Sequence, residues 1–128
     1  MSLYKARSAI ELDLFSTQTE HLINVGKNEI ILPLNNAFLL TKISSNTPGN
    51  LRLYKSSGQR DADKNRSDTI DPIGNHGLVA EFGFTNLLLS FDTCPIISIS
   101  SETGLIPALF TSSESKYLLL NFTFLRLK

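Results

Sequence analysis

At 128 residues the chain is long enough for one domain that buries roughly two-thirds of its unfolded surface. Twelve Lys plus Arg balance twelve Asp plus Glu, and the basic residues are scattered rather than striped, which argues against nucleic-acid binding. One cysteine, Cys94, excludes an internal disulfide, and no apolar run reaches the about 18 residues that cross a bilayer.

The N-terminal residues Met1 to Arg7 contain no apolar h-region, so no signal peptide is expected. With a lone cysteine, this suits a chain folded in a reducing cytoplasm. Balanced charge also weakens repulsion between copies.

The periodicity is that of strands. From Ser8 to Phe15, Ile10, Leu12 and Leu14 share one face and Glu11 and Asp13 the other. A weaker strand runs from Glu20 to Val25, Gly26-Lys27-Asn28 reads as a turn, and a short strand from Glu29 to Leu32 ends at Pro33. Residues 37–44 alternate, and Asn46 to Asn50 forms a turn around Pro48-Gly49. In the strand from Asn50 to Lys55, Leu51 and Leu53 point one way, Arg52 and Tyr54 the other. A long charged loop follows over 56–76. Gly77 to Thr85 places Leu78, Ala80, Phe82 and Phe84 inward and Glu81 outward. Leu87 to Phe91 and Pro95 to Ser100 are short strands, and Leu105 to Phe110, interrupted by Pro107, reads as an edge strand or an irregular segment. Tyr117 to Leu127 is the longest. No segment shows a capped helical stripe of ten or more residues. The expected fold is all-β: one antiparallel, jelly-roll-like sandwich of eight or nine short strands over residues 1–128.

Chemistry concentrates in the loop. Eight of the seventeen residues from Lys55 to Asp71 are charged. Asp61, Asp63 and Asn65 match the start of a calcium loop, but Arg66 stands at the glycine position and Pro72 at the bidentate glutamate position. Asp61 and Asp63 could also be a hydrolytic carboxylate pair, a pattern that any two loop aspartates would satisfy. The favoured reading is a self-pinned loop, an ion-pair network of Arg60, Asp61, Asp63, Arg66 and Asp68 in which each arginine clamps a carboxylate. It leaves no metal, no cofactor and no catalytic residue to assign. His21 and His76 lie far apart without ligand-spaced neighbours, and His76 reads better as a turn histidine capping backbone groups. Cys94, beside Pro95, has no helix N-terminus to activate it.

Tyr117 to Leu127 carries an apolar surplus. Leu118, Leu120, Phe122 and Phe124 form one face, and Tyr117, Leu119, Leu125 and Leu127 partly line the other, a candidate subunit interface. With no Trp, a sugar platform would rest on Tyr4, Tyr54, Tyr117 or exposed Phe, which lowers without removing the alternative reading as a lectin-like carbohydrate-binding module for host glycans.

Leu51-Arg52-Leu53-Tyr54, Arg60-Asp61-Ala62-Asp63, Arg66, Asp71-Pro72 and His76-Gly77-Leu78 resemble a small β protein found among tail and virion genes of bacteriophages. The resemblance covers residues 51–82 and, loosely, the C-terminal strands. It implies a non-enzymatic, β-sandwich structural component of a phage particle: a tail, baseplate or fibre-adaptor part, or alternatively a capsid decoration protein. Its expected partners are other virion proteins and copies of itself, with neither nucleic acid nor membrane. Its expected location is the virion, after synthesis in the host cytoplasm. Met1 to Arg7 and the loop 56–76 are the segments expected to clasp neighbours.

Overall fold

A computed structural model describes residues 12–34, 37–67, 70–72, 74, 76–99 and 105–127. The arm Met1 to Arg7 with Tyr4, the strand start Ser8 to Glu11, Asp68, Asn75 and Ser100 lie outside these residues, as do the side chains of Cys94 and Leu127.

Among the described residues, eight strands and one short helix follow in chain order: β1 (Leu12–Ile23), β2 (Gly26–Leu32), β3 (Ala37–Ser45), β4 (Gly49–Tyr54), α1 (Ser57–Asp63), β5 (Leu78–Phe84), β6 (Ser90–Ile99), β7 (Ile106–Ser112) and β8 (Lys116–Leu127). They form two antiparallel four-stranded sheets, ordered β1-β8-β3-β6 and β2-β7-β4-β5. The first strand pairs with the last, the second with the seventh, the third with the sixth and the fourth with the fifth. That is one long hairpin rolled up so that alternate strand pairs fall in opposite sheets, the topology of a jelly roll. Among the described residues no helix is long and apolar enough to cross a membrane.

The core lies between the sheets. Leu118, Leu120, Phe122 and Phe124 of β8 face Leu51, Leu53, Phe82, Phe84, Ala108 and Phe110 of the second sheet within one buried cluster. Phe84 and Phe91 stack at a tilt, with centroids 5.5 Å apart, where the two sheets meet. Gly49 lies against this core: a Cβ there would come within 2.4 Å of the Phe110 ring and 2.6 Å of the Thr111 carbonyl oxygen.

Several local expectations are corrected. β1 is one continuous strand, and its inward residues include Phe15, Thr19 and Ile23, so Leu14 points outward and is 67% exposed. The period of two holds, and Phe15, stacked on Phe124, sets which side turns to the core. The turn at Gly26-Lys27-Asn28 falls earlier, at Asn24-Val25. Asn28 then pins that corner by donating to the Asn24, Gly26 and Phe110 carbonyls and accepting from the Asn24 amide. In β3 a bulge at Thr41 breaks the alternation, so Leu40 and Ile43 are both buried. The segments around Leu87 to Phe91 and Pro95 to Ser100 merge into β6, whose Pro95 lies on an edge strand, opposite the bulge. Leu87 sits in the tight turn closed by Thr85 and Leu88.

β7, expected at an edge because of Pro107, is central. Its pairing with β4 stops at Leu53–Ala108, so among the described residues Pro107 has a ladder partner on the β2 side alone. The missing N–H therefore falls where one side of the strand is already unpaired.

Candidate functional site: an ionic layer beneath the α1 loop

The loop expected over 56–76 contains a helix. Ser56 caps it, its Oγ accepting from the Gln59 amide at 3.3 Å and donating to Gln59 Oε1 at 3.0 Å. Ser-Ser-Gly-Gln is a capping-box spacing, the sequence signal for this helix. α1 and the residues after it lie over the outer face of the second sheet. As a result Arg52 and Tyr54, on the outward side of β4, are as fully buried as Leu51 and Leu53 on its core side.

Between sheet and loop lies a layer of charges. Asp63 Oδ1 accepts from Arg66 Nε at 2.9 Å and Asp63 Oδ2 from Arg66 Nη2 at 2.9 Å, a bidentate pair. Tyr54 Oη donates to Asp63 Oδ2 at 2.6 Å. Arg52 Nε donates to Glu81 Oε2 at 3.0 Å, Arg52 Nη2 donates to the Arg66 carbonyl at 3.1 Å, and Arg52 Nη1 lies 3.9 Å from Asp63. Asn50 donates to Glu81 at 2.7 Å, and Arg66 Nη2 approaches Glu81 Oε1 at 3.6 Å. Two arginines and two carboxylates thus alternate around a closed, neutral ring, each charge beside two of opposite sign. That arrangement offsets the cost of withdrawing them from water.

The protonation equilibria follow from these contacts. Hydrogen bonds from Arg66, then from Tyr54, hold the Asp63 carboxyl below its ordinary range against the opposing effect of burial. Burial acts to raise Glu81, but Asn50 and Arg52 outweigh it and the net shift is downward. Burial, then the Asp63 hydrogen bond, pushes the Tyr54 phenol up to about 12. On β1, burial lowers His21, whose Nε2 lies 3.0 Å from Thr19 Oγ1.

A second, looser set ties the other flank. Arg60 is buried, with Nε 3.2 Å from Asp61 Oδ1, Nη2 3.4 Å from Glu29 and Nη1 donating to the Ile30 carbonyl at 3.4 Å. Lys64 reaches Glu29 at 3.0 Å, and Lys27 Nζ donates to the Lys64 and Arg66 carbonyls.

Of the five residues expected to pair, the structure brings Asp63 and Arg66 together bidentately and Arg60 to Asp61 through one nitrogen; Asp68 lies outside the described residues. The helix separates Asp61 from Asp63. Two residues along an α-helix is a rotation of about 200°, and the side chains are correspondingly 52% and 10% exposed. The two carboxylates therefore do not share one site, and among the described residues no three His, Cys, Asp or Glu gather as a metal site. His76 does cap backbone, its Nδ1 accepting from the Leu78 amide at 2.9 Å.

Sequence reasoning missed Arg52, Tyr54, Asn50, Glu81, Glu29, Lys27 and Lys64 as parts of this layer. The available signal was an Arg-x-Tyr on the outward face of one strand and a Glu on the outward face of the next, both beside an overcharged loop.

The first sheet is covered differently. Leu14, Leu22 and Tyr117 stand on its outer face at 67%, 72% and 65% exposure, with Leu119 and Leu125 half-buried among them. Three of the four expected interface residues, Tyr117, Leu119 and Leu125, therefore do share that face. Comparison with known proteins gives no further guide: no family model, no curated protein and no solved structure matches this chain.

Proposed function

We propose that this chain is a non-enzymatic structural component of a phage particle, a tail, baseplate or fibre-adaptor module that works by docking neighbouring subunits. The observation that carries the reading is the unequal covering of the two sheets. Asp63, Arg66, Arg60 and Lys64 of the α1 loop are engaged with one another or with Arg52, Glu81 and Glu29 of the second sheet, whereas the first sheet leaves Leu14, Leu22 and Tyr117 in water. Apolar side chains grouped on an otherwise finished fold favour a binding surface. The resemblance of residues 51–82 to phage virion proteins supplies the setting, and balanced charge suits assembly in many copies. Mass spectrometry of purified particles tests it: a fixed copy number relative to the major capsid protein is expected, and absence from washed particles overturns it.

A further inference from the structure

We infer that the outer face of the β1-β8-β3-β6 sheet seats a second copy of this chain, turned end for end. The inference rests on the docking reading above and names the partner.

The pattern along the strands carries it. On β8 the outward residues run Tyr117, Leu119, then Asn121, Thr123, then Leu125. On β1 they run Leu22, then Glu20, Gln18, Ser16, then Leu14, all exposed. The two strands are in register, Leu22 beside Tyr117 and Leu14 beside Leu125, so the β1–β8 half of the sheet is apolar at both ends and polar in the middle. A copy rotated about an axis across the middle sets apolar on apolar and polar on polar, the self-complementarity that an isologous interface requires. An unrelated partner would have to reproduce that spacing; the same chain does so by symmetry.

Charge and area agree. Charges on the described outward residues of this face are few: Asp92 of β6 stands opposite Lys42 of β3, and Glu20 of β1 is the one acid beyond that pair, so two copies meet with little net charge. The middle is a shallow depression of about 410 Å³ lined by Ser16, Gln18, Lys42, Ser44, Asn121 and Thr123, room for the bridging water that such interfaces hold. Two strands of 12 residues in a four-stranded sheet offer roughly 700 Å², close to the about 800 Å² per partner of a standard stable interface.

Sedimentation velocity of the purified full chain tests this. A dimer with a dissociation constant at or below about micromolar is expected. Leu22→Glu with Tyr117→Glu at one end, and Leu14→Glu at the other, should each weaken it at least about tenfold, because each puts charge into a desolvated contact. Leu87→Glu, in the β5–β6 turn, should leave it unchanged. A wild-type chain that stays monomeric at about 100 µM, or a dimer indifferent to both end variants, overturns the inference. Neither result touches the presence of the chain in particles, which the copy-number measurement decides separately.

Discussion

Tyr54 Oη lies 2.6 Å from Asp63 Oδ2, a contact between a strand of the second sheet and the last residue of the helix lying over it. It ties the loop to the sheet at the point where Arg66 also grips the same carboxylate. Asp63 is therefore the junction of the ionic layer, and the two aspartates of the Arg-Asp-x-Asp segment should respond very differently to substitution.

Asp63→Asn leaves Arg66 and Arg52 buried beside a neutral amide and should cost about 3 kcal/mol. Asp61→Asn removes one pairing to Arg60 from a half-exposed side chain and should cost under about 0.5 kcal/mol. Urea denaturation of the two variants measures the difference. Equal effects would mean that the helix does not separate them.

The pH dependence has two limbs. The folded-state pKa values of Asp63 and Glu81 are depressed. Their contribution is complete above the unfolded carboxyl range near about 4 and is lost as pH falls through the lower folded values. Tyr54 is raised to about 12. Its contribution is complete below the unfolded value near about 10 and is lost as pH rises towards the folded one. Thermal melts should show Asp63→Asn flattening the acid limb and Tyr54→Phe flattening the alkaline limb, the latter at a cost of about 1.5 kcal/mol at neutral pH.

Ser56→Ala removes the cap of α1 and should cost about 1 kcal/mol. Hydrogen exchange should quicken first at the Gln59 and Arg60 amides, which bond to the Ser56 Oγ and carbonyl. Protection that is unchanged at both amides would show that the helix is held by the ionic layer alone.

Gly77 sits at φ +67°, and a Cβ there would approach Gln59 Oε1 to 2.1 Å. Gly77→Ala should therefore cost about 1–2 kcal/mol, because the Gln59 amide must swing away from the Ser56 hydroxyl it now meets. A smaller loss in the Ser56→Ala background than in the parent would confirm the route.

The period of two along β4, β5 and β8 was legible, and with it the all-β sandwich and the inward set Phe82, Phe84, Leu118, Leu120, Phe122 and Phe124. Which face of β1 turned inward was not, because Leu14 and Phe15 are both apolar and only the partner ring Phe124 decides between them. The charged loop was legible as self-pinned through Asp63 and Arg66. Its other anchors come from β2, β4 and β5, dozens of residues distant or across a turn, and only the rolled-up topology brings Glu29, Arg52, Tyr54 and Glu81 beneath it.

The charges beneath the α1 loop hold it on the second sheet. A double-mutant cycle between Asp63→Asn and Arg66→Met, read by chemical denaturation with and without calcium, tests it most directly. The account predicts a coupling of about 2 kcal/mol or more and no effect of calcium on the parent. A coupling below about 0.5 kcal/mol, or a calcium-dependent stabilisation that Asp63→Asn abolishes, would contradict it.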